Sequence, residues 1–139
     1  ARKEDNEIRG PEDLKGKKVA VEKGTVYVGT AKQYGAEVKE YDYHEQLSKA
    51  VEDNGADALI LDKPVARFYL AHGASEKLKP AGIISGSGGF VMMVSKKDEG
   101  LREKVNEALD KLMKNGEYDK IYDKWFADEN FSKEPDVKS

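Results

Sequence analysis

Two places in the sequence carry residues able to hold a small charged group. The first is Gly24-Thr25, which follows the apolar alternating run Lys18-Val19-Ala20-Val21-Glu22 and precedes a helical pattern opening at Val26-Tyr27. A strand that passes through a glycine into a helix leaves backbone N–H groups without partners. Together with the helix dipole they suit an anion such as a carboxylate. The same residues also read as a plain strand-to-helix turn with Thr25 as an N-cap. The second place is Asp62, at the carboxyl end of Ala56-Asp57-Ala58-Leu59-Ile60-Leu61 and just before Lys63-Pro64. Its carboxylate suits a cation, and it too reads as an N-cap. An N–H cradle and a carboxylate at one edge together suit a zwitterion, which neither suggests alone.

Other chemistries find little support. Cysteine is absent, which excludes disulfides, thiolate metal sites and cysteine nucleophiles. The two histidines, His44 and His72, lack ligand spacing, so zinc hydrolysis and a Ser-His-Asp triad are poor readings. No cofactor, metal or catalytic residue is expected. Ser85-Gly86-Ser87-Gly88-Gly89 is not a phosphate-binding loop, because no Gly-Lys-Ser/Thr follows it, and it reads as a mobile connection. The 24 basic and 27 acidic residues are interspersed and give a net charge of −3, which argues against a nucleic-acid surface. No run is long and apolar enough for membrane insertion.

The elements that must position these residues alternate between strand and helix. Residues 1–10 are polar and read as a frayed start, and Pro11–Gly16 as one helical turn stopped by its glycine. Lys17–Glu22 is predicted as a strand, Val26–Tyr34 as a short helix closed by Gly35, and Ala36–Tyr41 as a second strand. Asp42, with Glu45 three residues on, is expected to cap a helix carrying Leu47, Ala50 and Val51 on one face. The nearly continuous apolar run Ala56–Leu61 is expected to be a central parallel strand, followed by a helix over Val65–Ala71. Leu78–Gly82 reads as a short strand or connection, and Phe90–Val94 as a buried strand. Asp98 opens a helix with Leu101, Val105, Ala108, Leu109 and Leu112 on one face. After Asn115-Gly116, Tyr118, Ile121, Tyr122, Trp125 and Phe126 form a second apolar face, and the tail beyond Phe131 reads as loose. This order predicts an α/β fold: a mostly parallel, Rossmann-like sheet with helices on both faces, plus two C-terminal helices. In such sheets ligands bind beyond the carboxyl ends of the strands, where Gly24-Thr25 and Asp62 both fall.

Several blocks, in order, resemble the amino-acid-type solute-binding proteins of bacterial ABC importers (family 3, type II clamshell). They are Glu12–Val21 with Gly24-Thr25, Gly35–Val38, Asn54–Ala66, Leu101–Leu109 and Gly116–Phe126, with matching spacings over roughly residues 8–127. The resemblance covers the second lobe and the C-terminal helices of that family. It implies a periplasmic or extracellular protein, with a lipid-anchored precursor possible, that binds an amino acid and meets an ABC permease. It places the ligand carboxylate on the turn Gly24, Thr25 and Val26, the ligand side chain near Tyr27 and the α-ammonium at Asp62. It also makes Phe90–Val94 a strand crossing back through a hinge. The chain departs from the family at Val26, where a hydroxyl residue or glycine is common, and at Leu61, which is apolar beside Asp62.

The family's chains are about twice as long, and the other lobe normally supplies an arginine clamp and an aromatic platform. The resemblance therefore divides the chain into lobe two with its hinge strand (1–95), a helical pair (96–127) and a flexible tail (128–139). The helical pair normally lies on lobe one. Here its apolar faces are expected to seek cover on this lobe, in a homodimer, or against a separate lobe-one polypeptide. Two other uses stay open: a cyclohexadienyl-dehydratase-like enzyme with Asp62 as general acid or base, and a sensory or engineered lobe without a transport role.

Overall fold

The computed structural model describes residues 1–85 and 90–126. These residues form two compact units, one over 1–84 and one over 85 and 90–126, each with its own internal packing. The glycines at 86, 88 and 89 and the tail beyond Phe131 lie outside the described residues, and with them the expectations of a mobile connection and a loose end.

The first unit holds a three-stranded parallel sheet in the order β2-β1-β3, built from Lys18–Glu22 (β1), Glu37–Tyr41 (β2) and Ala58–Leu59 (β3). β1 pairs along its whole length with β2, Lys18 opposite Glu37 through Glu22 opposite Tyr41. Its other side pairs with β3 at Val19–Ala58 and Ala20–Leu59. The central strand is thus β1, where Val19, Ala20 and Val21 are all fully buried. This corrects the expectation for Ala56–Leu61: that run supplies a two-residue strand at one edge, extended by hydrogen bonds from the Asp57 and Ile60 N–H groups to Lys18 and Ala20 carbonyls. An unbroken apolar run reports burial on both faces and not a position within the sheet.

Period-two alternation sorts the strand side chains between two cores. Val19, Val21, Ala58 and Ile60 face α1 (Tyr27–Gln33), meeting Ala31 together with Ile8 and Leu14. Ala20 faces the other way, toward Leu47 and Val51 of α2 (His44–Glu52) and Leu70 of α3 (Lys63–Ala71). Helices therefore cover both faces, as the strand–helix order requires.

Three local expectations give way. Helix α2 starts after Tyr43, not Asp42, and Gln46 rather than Glu45 closes its first turn. The Gln46 side-chain oxygen accepts the N–H groups of both Asp42 and Tyr43 at 3.1 Å. Residues 1–10 are not frayed. Lys3 N–H donates to the Lys77 carbonyl at 2.7 Å and Lys79 N–H to that of Ala1 at 2.9 Å, so the segment pairs with residues around Leu78. Arg2 Nη1 donates to the carbonyls of Val51 (3.1 Å) and Ala56 (2.8 Å), tying this segment to the end of α2. The Asp5 carboxylate accepts from the N–H groups of Glu7 and Ile8, setting Ile8 into the core. These backbone bonds hold the Asp5 carboxyl below its ordinary pKa, the bond from Ile8 contributing most.

The second unit contains α4, Glu99–Lys114, and α5, Glu117–Phe126. Asp98 caps α4, its Oδ1 accepting from Leu101 N–H at 2.9 Å, and Gly116 at φ +77° turns the chain into α5. Phe90–Val94 is not the buried strand that its composition suggests. It forms no ladder among the described residues, and Val91 and Met93 are 81% and 94% exposed. β propensity describes fit to a pleated, half-buried surface, and the described residues supply no such surface to Phe90–Val94.

Candidate ligand-binding site

All three strands run the same way, so their carboxyl ends share one rim of the sheet. β1 delivers Glu22 and then the turn Lys23–Val26. Gly24 takes φ +77°, a left-handed conformation that glycine adopts without a steric cost. The Thr25 hydroxyl does not cap α1 in the expected way. It turns back and donates to the Glu22 carbonyl at 2.7 Å, and Thr25 N–H reaches the same oxygen at 3.4 Å. Helix α1 begins at Tyr27, one residue later than expected, with Val26 at its N-cap. Among the described residues the N–H groups of Val26 and Tyr27 make no hydrogen bond, and Val26 is 78% exposed at the rim.

Asp62 follows Ala58 and Ile60 on the α1 face, and there it meets α1. The Tyr27 hydroxyl donates to Asp62 Oδ1. Burial first, then this hydrogen bond and the carboxylate's charge, push the Tyr27 phenol above its ordinary pKa. Asp62 precedes α3 as its N-cap in position, but its side chain accepts no capping hydrogen bond there. Its carboxylate is therefore committed to Tyr27 on one oxygen and not to the helix.

The expected site residues thus fall at one rim: Gly24, Thr25 and Val26 in the turn, Tyr27 at the first position of α1, and Asp62 beyond β3. The structure joins Tyr27 to Asp62 directly and keeps Thr25 engaged with its own strand. One pair escaped sequence reasoning. Glu22 follows Ala20 onto the α2 face, where His44 at the start of α2 places Nε2 2.6 Å from Glu22 Oε2. The signal was available in the alternation of β1, but the partner could not be read from it. Among the described residues no group of three or more His, Asp or Glu side chains has metal-site geometry.

This is the architecture of one lobe of a type II periplasmic binding protein: a parallel sheet clad on both faces, with polar groups at the carboxyl rim. The chain belongs to the bacterial extracellular solute-binding proteins, family 3, whose profile it matches over residues 1–128. It is 29% identical over 135 residues to the arginine-binding extracellular protein ArtP of Bacillus subtilis, covering 91% of this chain and 51% of that protein. It is 30% identical over 122 residues to the L-cystine-binding protein TcyJ of Escherichia coli K12, covering 86% of this chain and 46% of TcyJ. Among solved structures, an ancestral arginine-binding protein bound to arginine superposes with a TM-score of 0.72 at 34% identity, covering 91% of this chain and 57% of that one. The chain spans about half the length of ArtP and of TcyJ. Among the described residues no helix is long and apolar enough to cross a membrane.

Proposed function

We propose that this chain is the second lobe of an extracytoplasmic amino-acid receptor serving ABC-type import, and that it binds without catalysis. The observation that carries the reading is the gathering of an N–H turn and a carboxylate at one rim, in a chain of a solute-binding family. The N–H groups of Val26 and Tyr27, with Gly24 and Thr25 shaping the turn, receive the ligand carboxylate. Asp62, oriented by the Tyr27 hydroxyl, receives the α-ammonium through its remaining acceptor positions. Closure follows differential affinity: a ligand that touches this lobe and another stabilises the state in which both are in contact, and the permease reads that state. Because Thr25 spends its hydroxyl on Glu22, and the contacts of the other lobe lie outside this chain, binding to the chain alone is weak.

The domain reading belongs to the same proposal: 1–95 is the ligand-binding lobe with its hinge segment, and 96–127 is a helical pair whose apolar faces take cover from a second copy or a separate lobe-one polypeptide. The test is a nitrogen-15 NMR titration of the chain with a panel of L-amino acids. Saturable shifts at the Val26 and Tyr27 amides are expected, and Asp62→Ala should abolish them. Unchanged spectra at high ligand concentration, or an undiminished response in Asp62→Ala, overturn the assignment. An increase in prephenate or arogenate turnover over buffer would overturn the absence of catalysis.

A further inference from the structure

We infer that Glu22 makes the site selective for amino acids carrying a cationic side chain. The inference rests on the proposed reading of the rim and adds Glu22 to its ligand contacts. A neutral amino acid brings one cation, its α-ammonium, and Asp62 answers it. The rim holds a second carboxylate. β1 and β3 are hydrogen-bonded neighbours with Ala20 opposite Leu59, so continuing that register puts Glu22 level with Leu61, one residue before Asp62. Neighbouring strands lie about 5 Å apart, which places the two acids on adjacent strand ends. Alternation sends their side chains to opposite faces, Asp62 to Tyr27 and Glu22 to His44. A ligand lying across the rim therefore meets one carboxylate on each side.

Glu22 has capacity to spare. A carboxylate offers two oxygens and about four acceptor positions, and His44 Nε2 engages Oε2 alone. The Glu22 side chain keeps 32% of its surface open to solvent and His44 keeps 35%. Glu22 is also coupled to the turn itself, since its carbonyl accepts from both the hydroxyl and the N–H of Thr25. A guanidinium or ammonium on the ligand side chain gains a charge-assisted hydrogen bond there, whereas an amide gains less and a carboxylate is repelled. His44 then acts as a positioning residue, holding Glu22 over the α2 face of the rim.

The test uses the whole chain and three probes, L-arginine, L-glutamine and L-glutamate, with the Val26 and Tyr27 amides as reporters in NMR titrations. Arginine should bind at least five-fold tighter than glutamine, and glutamate should be the weakest. In Glu22→Gln the arginine-to-glutamine ratio should fall below two-fold, with the larger loss of affinity on the arginine side. Glu12→Gln, a carboxylate removed from the exposed opening turn, should leave the ratio untouched. A ratio that survives Glu22→Gln, an equal loss for both ligands, or the same collapse in Glu12→Gln overturns the inference and leaves the site reading standing. Absence of shifts with all three probes overturns the site reading and the inference with it.

Discussion

Tyr27 and Asp62 are bound to each other before any ligand is considered, and that contact has consequences that can be measured. The phenol is raised above its ordinary pKa by burial and by the neighbouring carboxylate, so the folded chain holds this proton more tightly than the unfolded chain. Unfolded tyrosines ionise near about 10. The stabilisation linked to this proton is therefore complete below that value and is lost as pH rises from it toward the higher folded value. Urea unfolding followed from about pH 9 to about pH 11 should show a decline that Tyr27→Phe reduces. An equal decline in wild type and variant would refute the linkage. Tyr69, shifted upward by burial and by Glu45, contributes part of the same decline and serves as the internal reference. At neutral pH Tyr27→Phe should itself cost about 1.5–3 kcal/mol, the net worth of a hydrogen bond to a charged group.

The elements that hold these residues depend on a few positions whose roles differ in kind. Gly24 has open space where a side chain would stand, so Gly24→Ala meets no neighbour. Its cost is the left-handed backbone alone, about 1–2 kcal/mol, read as a lowered unfolding midpoint; a midpoint unchanged in Gly24→Ala would show that the turn rearranges freely. Asp98→Ala should lower helicity by circular dichroism through the lost cap on α4, at about 1 kcal/mol. What the sequence made legible follows the range of the forces involved. The alternation in β1, the glycine stops at 16, 35 and 116, the Asp98 cap and the carboxyl-rim placement of Gly24 and Asp62 all depend on neighbours in the chain. The position of β1 at the centre of the sheet, the state of Phe90–Val94 and the Glu22–His44 pair depend on partners far away in sequence. Arg2 is the sharpest case: a cation in a polar opening segment looks solvated until the carbonyls of Val51 and Ala56 are brought to it.

At the scale of the molecule, the two units differ in how they treat apolar surface. The first buries its strands between helices, whereas in the second no residue of α4 or α5 is buried. Tyr122 packs between Tyr118 and Phe126 with ring centroids 6.4 and 5.1 Å away, yet Ile121 and Trp125 are 51% and 46% exposed. Aromatic and aliphatic side chains repeating on one helical face represent burial not yet taken, worth about 25 cal/mol for each Å² removed from water. The proposed cover for this face can be tested without knowing the ligand, because Trp125 is the chain's single tryptophan and its fluorescence reports α5 alone. As concentration rises, its emission should move to shorter wavelength while sedimentation shows species heavier than one chain. The charge-inserting variant Ile121→Glu should hold the chain monomeric with emission at the exposed wavelength, and leave the ligand response of Val26 and Tyr27 unchanged. A wild-type chain that stays monomeric and binds no hydrophobic dye would show that these helices need no partner, and would remove the second-copy and lobe-one readings together.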